Sequence, residues 1–64
     1  MKYLGIKNGV TKIDLTVEEA TYALDASLEV TIKTGRGVET IFLDLEQVEE
    51  VLTFLTDAVE LMKR

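Results

Sequence analysis

Residues 45 to 62 carry Leu45, Val48, Val51, Leu52, Leu55, Val59 and Met62 at steps of three and four, the spacing that gathers side chains on one side of a 3.6-residue period. This predicts an α-helix over about 45–62, with Phe54, Ala58 and Leu61 widening its apolar stripe in the last two turns. Asp44-Leu45-Glu46-Gln47 has the form of a capping box: the Asp44 carboxylate can accept from the third helical amide while Gln47 reaches back. Such a helix rises ~27 Å, whereas a six-residue strand spans only ~20 Å. In a chain of 64 residues, the C-terminal turns are therefore expected to overhang any sheet the remainder can build.

The residues before the helix read as hairpins. Asn8-Gly9 is the favoured type I′ pair, and a turn there sets Lys7 opposite Val10, Leu4 opposite Ile13 and Lys2 opposite Leu15. One face of that ribbon holds Leu4, Ile6, Ile13 and Leu15; the other holds Tyr3, Gly5, Lys7, Val10, Lys12 and Asp14. A second turn at Gly35-Arg36, or a four-residue loop around it, sets Val30 opposite Ile41 and Leu28 opposite Leu43. That register gathers Leu28, Val30, Ile32, Ile41 and Leu43 on one face and leaves Glu29, Thr31, Lys33, Val38, Thr40 and Phe42 on the other.

Between the hairpins, Thr16-Val17-Glu18-Glu19 repeats the capping-box form. It predicts a short helix over about 17–25 with Val17, Ala20, Ala23 and Leu24 on its apolar side. A strand is the competing prediction, because Thr21 and Tyr22 favour β structure. The two halves also resemble each other. Ile6-Lys7-Asn8-Gly9 matches Ile32-Lys33-Thr34-Gly35, and beyond a two-residue insertion Val10, Ile13, Leu15, Glu18 and Leu24 match Val38, Ile41, Leu43, Glu46 and Leu52. The expected architecture is a single α+β domain over residues 1–64. It is a duplicated β-β-α unit, with repeats over 2–25 and 28–62, making a four-stranded antiparallel sheet with one short and one long C-terminal helix on one face. The competing account of the matches is that any hairpin-then-helix pattern yields them in a short chain.

Composition narrows the chemistry. There is no His, Cys, Pro or Trp, so disulfides, thiolate metal sites and the commonest general base are absent. Ser27 is the only serine, with no base to activate it. The paired carboxylates sit where solvent keeps them ordinary acids, and Glu46, Glu49 and Glu50 lack the loop geometry of a calcium site. The chain is expected to be no enzyme and to hold neither metal nor cofactor. No apolar run approaches the ~20 residues of a membrane helix, and no apolar stretch of signal-peptide form follows Met1 and Lys2. The expected setting is the cytoplasm, away from membranes.

A core of 64 residues is marginal without outside support, and association is the support that composition leaves. Phe54, Leu55, Ala58, Val59, Leu61 and Met62 are expected to bury against a second copy in a two-fold homodimer. Charge supplies the rest of the expectation. With twelve acids against seven bases, the net charge is −5, which disfavours broad nucleic-acid binding. Glu46, Glu49, Glu50, Asp57 and Glu60 share the helix with no intervening cation. They are expected to form a docking surface for a basic protein, with inhibition of a nucleic-acid-binding partner as one outcome; the competing account is a solvated face that keeps the chain soluble. The alternative is a nucleotide or other anion held on the sheet by Tyr3, Lys7, Lys12, Lys33, Arg36 and Phe42, cations and aromatics being how open sheets hold phosphates and bases.

Overall fold

Alternating side chains dictate most of what forms. The structure is a computed structural model describing residues 2–64. It runs β1 (Lys2–Asn8), β2 (Thr11–Glu18), β3 (Ser27–Thr34), β4 (Gly37–Leu43) and α1 (Leu45–Met62). The strands make one sheet in the order β1-β2-β3-β4, every neighbour antiparallel. The molecule is thus α+β, with a four-stranded antiparallel sheet followed by one helix.

Register sorts the side chains cleanly. Leu4 lies opposite Leu15, Leu15 opposite Val30, and Val30 opposite Ile41. The rows on either side, Lys2-Val17-Leu28-Leu43 and Ile6-Ile13-Ile32-Glu39, point the same way, with a charged residue at one end of each. One face is therefore largely aliphatic, its middle row crossing all four strands and Lys2 and Glu39 standing at its edges. The opposite face carries the rows Tyr3-Thr16-Glu29-Phe42, Gly5-Asp14-Thr31-Thr40 and Lys7-Lys12-Lys33-Val38. Both expected faces form as the alternation requires, and Val30 meets Ile41 as expected from a Gly35-Arg36 turn.

The first hairpin differs in detail. Its two-residue turn is Gly9-Val10, flanked by the pair Asn8–Thr11, and Gly9 has φ 63° while no non-glycine residue described has positive φ. A positive φ at the first central position alone is the mark of a type II′ turn, not the type I′ expected from Asn8-Gly9. Strand pairing moves by two residues, so Leu4 meets Leu15 instead of Ile13. Since an even slip returns every side chain to its own face, the faces survive the error.

The expected short helix over 17–25 does not form, and with it the duplicated β-β-α unit loses its structural support: one helix is present among the described residues. Val17 continues β2 instead, pairing with Lys2 on one side and Leu28 on the other. A helix of two turns is too short to sustain itself in water, while two flanking strands offer this β-branched residue packing at once. The link over 19–26 is irregular. It is tightened where the Thr21 amide donates to the Leu24 carbonyl at 2.8 Å and the Leu24 amide donates to Thr21 Oγ1 at 3.1 Å.

The long helix forms as the sequence predicts. Asp44 caps it, accepting from the Gln47 amide at 2.9 Å, while the Asp44 amide donates to Gln47 Oε1 at 3.0 Å. At its far end the Lys63 amide donates to the Val59 carbonyl at 3.1 Å. Its placement is the departure that matters. The helix approaches β3 and β4 and makes no close approach to β1 or β2, so it does not lie across one face of the sheet as expected. The radius of gyration is 13.7 Å against about 10.7 Å for a compact chain of this length, and the extents are 43 × 30 × 17 Å. No described residue is buried.

Candidate interaction surfaces

Three surfaces stand out, and each begins in the strand and helix periods just described. The first is the polar side of α1. At 100° per residue, Glu46, Glu49, Glu50, Asp57 and Glu60 fall within an arc of about 100°, so the expected acidic residues do share one stripe. Thr53 sits inside it with its hydroxyl turned back, donating to the Glu49 carbonyl at 3.2 Å; Thr56 at its margin does the same to Leu52 at 2.9 Å. No salt bridge among the described residues reaches the five acids, whose charge is left to solvent. Glu46 in the first turn gains from the helix dipole, whereas Asp57 lies beyond its reach and Glu60, in the last turn, meets its negative end.

The second surface is apolar and has two parts. On the sheet, Leu4, Ile6, Val17, Ile32 and Ile41 are all exposed. On the helix, Val51, Leu52, Phe54, Leu55, Val59, Leu61 and Met62 are exposed as well, Phe54 at 71%. Ala58 is only half-buried. Together with Leu45, also exposed, the helix residues occupy an arc of about 200°, double the width a single contact needs. Sheet and helix meet only at their joint, around a cavity of about 140 Å³ lined by Val17, Leu28, Leu43, Leu45 and Val48 among others.

The third surface is the polar face of the sheet. Lys7, Lys12 and Lys33 stand abreast on β1, β2 and β3, and Arg36 follows in the neighbouring turn. A carboxylate the sequence did not mark as part of the site sits behind them. Asp14, its side chain 13% exposed, accepts a hydrogen bond from Tyr3 Oη at 2.5 Å. Lys12 Nζ lies 3.8 Å from its Oδ1 and Lys33 Nζ 3.8 Å from its Oδ2. The Tyr3 hydrogen bond, opposed by burial and assisted by the two lysines, holds the Asp14 carboxyl below the usual carboxylate range. The same bond, with burial and the carboxylate charge, pushes the Tyr3 phenol up.

Gly5 makes this arrangement possible. It faces Asp14 across the strand pair, and a Cβ there would come within 2.7 Å of Tyr3 Oη, so the missing side chain is the space through which Tyr3 reaches Asp14. The signal was present in the sequence but hidden by the slipped register, which set Gly5 against Lys12. The remaining residues expected here are spread out. Tyr3 and Phe42 belong to the two edge strands of one row, about 14 Å apart at ordinary strand spacing. The Arg36 amide donates to Thr34 Oγ1 at 3.1 Å, which removes it from the amides open to an anion.

Among the described residues no cluster of acids is placed to hold a metal ion, and no helix is long and apolar enough to cross a membrane. The chain matches no family model, no curated protein and no solved structure.

Proposed function

We propose that this chain is a non-catalytic cytoplasmic interaction module, working as a homodimer, whose acidic helix stripe docks on a basic protein. The observation that carries this reading is surface area. The protomer exposes 5797 Å², where a folded monomer of 7.2 kDa exposes about 4,100 Å². The excess, about 1,700 Å² per chain, would amount to about 3,400 Å² shared between two copies, the size of an obligate dimer interface. Phe54, Leu55, Ala58, Val59, Leu61 and Met62 are the helix residues it draws on. The acidic stripe lies on the opposite side of the helix and stays open to a cationic surface, where Glu46, Glu49, Glu50, Asp57 and Glu60 would also speed encounter. A partner that binds nucleic acid through that surface would be inhibited, carboxylates occupying the places of phosphates.

One observation favours a second reading, anion or nucleotide binding on the sheet: the lysines abreast at positions 7, 12 and 33. Asp14 weighs against it by engaging two of the three. The two readings oppose each other in sign. Glu49→Lys with Glu50→Lys should abolish capture of the partner from host extract, and Lys33→Glu with Arg36→Glu should leave it intact. Retention of every partner by the first pair of changes would remove the acidic-stripe reading. Loss with the second pair only would establish the sheet reading in its place.

A further inference from the structure

We infer that two copies of this chain exchange their C-terminal helices, α1 of each lying along the aliphatic sheet face of the other. The inference rests on the dimer proposed above and says how that dimer is built. Each protomer carries two unmet surfaces of complementary form. The sheet presents Leu4, Ile6, Ile13, Leu15, Val30 and Ile41 on one face with none of them buried. The helix presents an apolar arc of about 200°, wide enough to be cradled by a twisted sheet instead of touching it along a seam.

A chain cannot satisfy both surfaces by itself in this geometry. β4 ends at Leu43 and α1 begins at Leu45, leaving Asp44 as the whole connection. Asp44 is extended, at φ −83° and ψ 176°, and both capping-box bonds hold it so. Folding a helix back over the strand it follows takes a loop of about 2–6 residues. The helix accordingly leaves the sheet at its end, reaching β3 and β4 alone, and β1 has no cover from its own chain.

Length and uncovered area, 5797 Å² exposed per protomer, select a second copy as the occupant. An eighteen-residue helix rises about 27 Å, and strands of seven or eight residues span about 23 to 27 Å, so a helix passing from one sheet onto the next covers it from end to end. Running from the Asp44 end toward the hairpin tips, it carries Leu55 and Val59 along the partner's aliphatic face. The acidic stripe faces outward throughout. The two α1 C-termini then lie at opposite ends of the dimer.

The natural absence of cysteine makes the arrangement directly testable in the full chain. Ile6→Cys and Val59→Cys are made as separate chains carrying different tags, co-expressed, and treated with a short bis-maleimide; Leu4→Cys with Leu55→Cys is the second pair, and circular dichroism checks that each variant folds. Sedimentation of the unmodified chain should give twice the monomer mass. Mixed crosslinks between the two tagged chains should dominate in at least one pair, with Val59→Cys alone giving no crosslinked species. A dimer in which Val59→Cys crosslinks to itself and neither mixed pair forms overturns the exchange while keeping the dimer, because the helix ends are then paired. A dimer in which Ile6→Cys or Leu4→Cys self-crosslinks instead overturns it in favour of sheet facing sheet. A 7.2 kDa particle at all concentrations removes both the exchange and the dimer.

Discussion

Replacing Leu55 by Ala separates a self-associating chain from a solitary one by whether the response depends on protein concentration. The substitution removes three carbons, worth about 2.4 kcal/mol if fully buried. Leu55 is 52% exposed in the protomer, so about half of that, roughly 1.2 kcal/mol, is gained only when a second copy covers it. Two-fold symmetry counts the loss twice. The dimer should weaken by about 2.4 kcal/mol, an increase of roughly fiftyfold in dissociation constant. Ala is the better helix former, so α1 itself is not weakened and far-UV circular dichroism at high concentration should be unchanged. Sedimentation equilibrium over a dilution series measures the shift, with Thr53→Ala on the acidic side as the control. A solitary chain would lose only the part of Leu55 already covered within the protomer, about 1.2 kcal/mol, with no dependence on protein concentration. Equal dissociation constants for Leu55→Ala and the native chain, or no association in either, would refute the argument from uncovered area.

Other expectations follow from single contacts. The depressed Asp14 carboxyl contributes stability that is present above its ordinary value of 3.8 and is lost as pH falls through the lower folded value. The raised Tyr3 phenol contributes stability present below 10.0 and lost as pH rises through its higher folded value. Urea midpoints at fixed protein concentration should therefore form a plateau whose acid limb is flattened by Asp14→Asn and whose alkaline limb is flattened by Tyr3→Phe; unchanged limbs would show that the pair is unlinked to folding. Asp44→Ala removes the cap and should cost about 1 kcal/mol, read as an earlier urea midpoint with reduced helicity. Gly9→Ala should cost about 1 kcal/mol from positive φ alone, since nothing lies within 4 Å of the added Cβ; Gly35→Ala, where φ is not positive, should be nearly neutral, and equal costs at both would contradict the turn assignment.

Local signals account for what was legible. Asp44 and Gln47 identify the helix start because the capping bonds involve only residues three apart. Leu28, Val30, Ile41 and Leu43 gave their register correctly, since a two-residue turn at Gly35-Arg36 leaves one way to align the flanking aliphatics. The first hairpin shows the limit of this logic: Asn8-Gly9 and Gly9-Val10 are both adequate two-residue turns, and both preserve the aliphatic face. The choice between them decided whether Gly5 met Lys12 or Asp14, and so whether Tyr3, Asp14, Lys12 and Lys33 would be recognised as one cluster.

By itself the sequence determined which side chains share a face, where α1 starts and stops, and that its acids lie in one stripe, because these follow from periods of 2 and 3.6 and from bonds between near neighbours. Only the tertiary structure decided that Thr16 and Val17 extend a strand where a helix also had a claim, since the outcome depends on Lys2 and Leu28, distant in the chain, arriving on either side. It alone decided, too, that α1 leaves the sheet uncovered. That outcome turns on the direction in which one extended residue, Asp44, launches the helix, a geometric property with no counterpart in hydrophobic pattern.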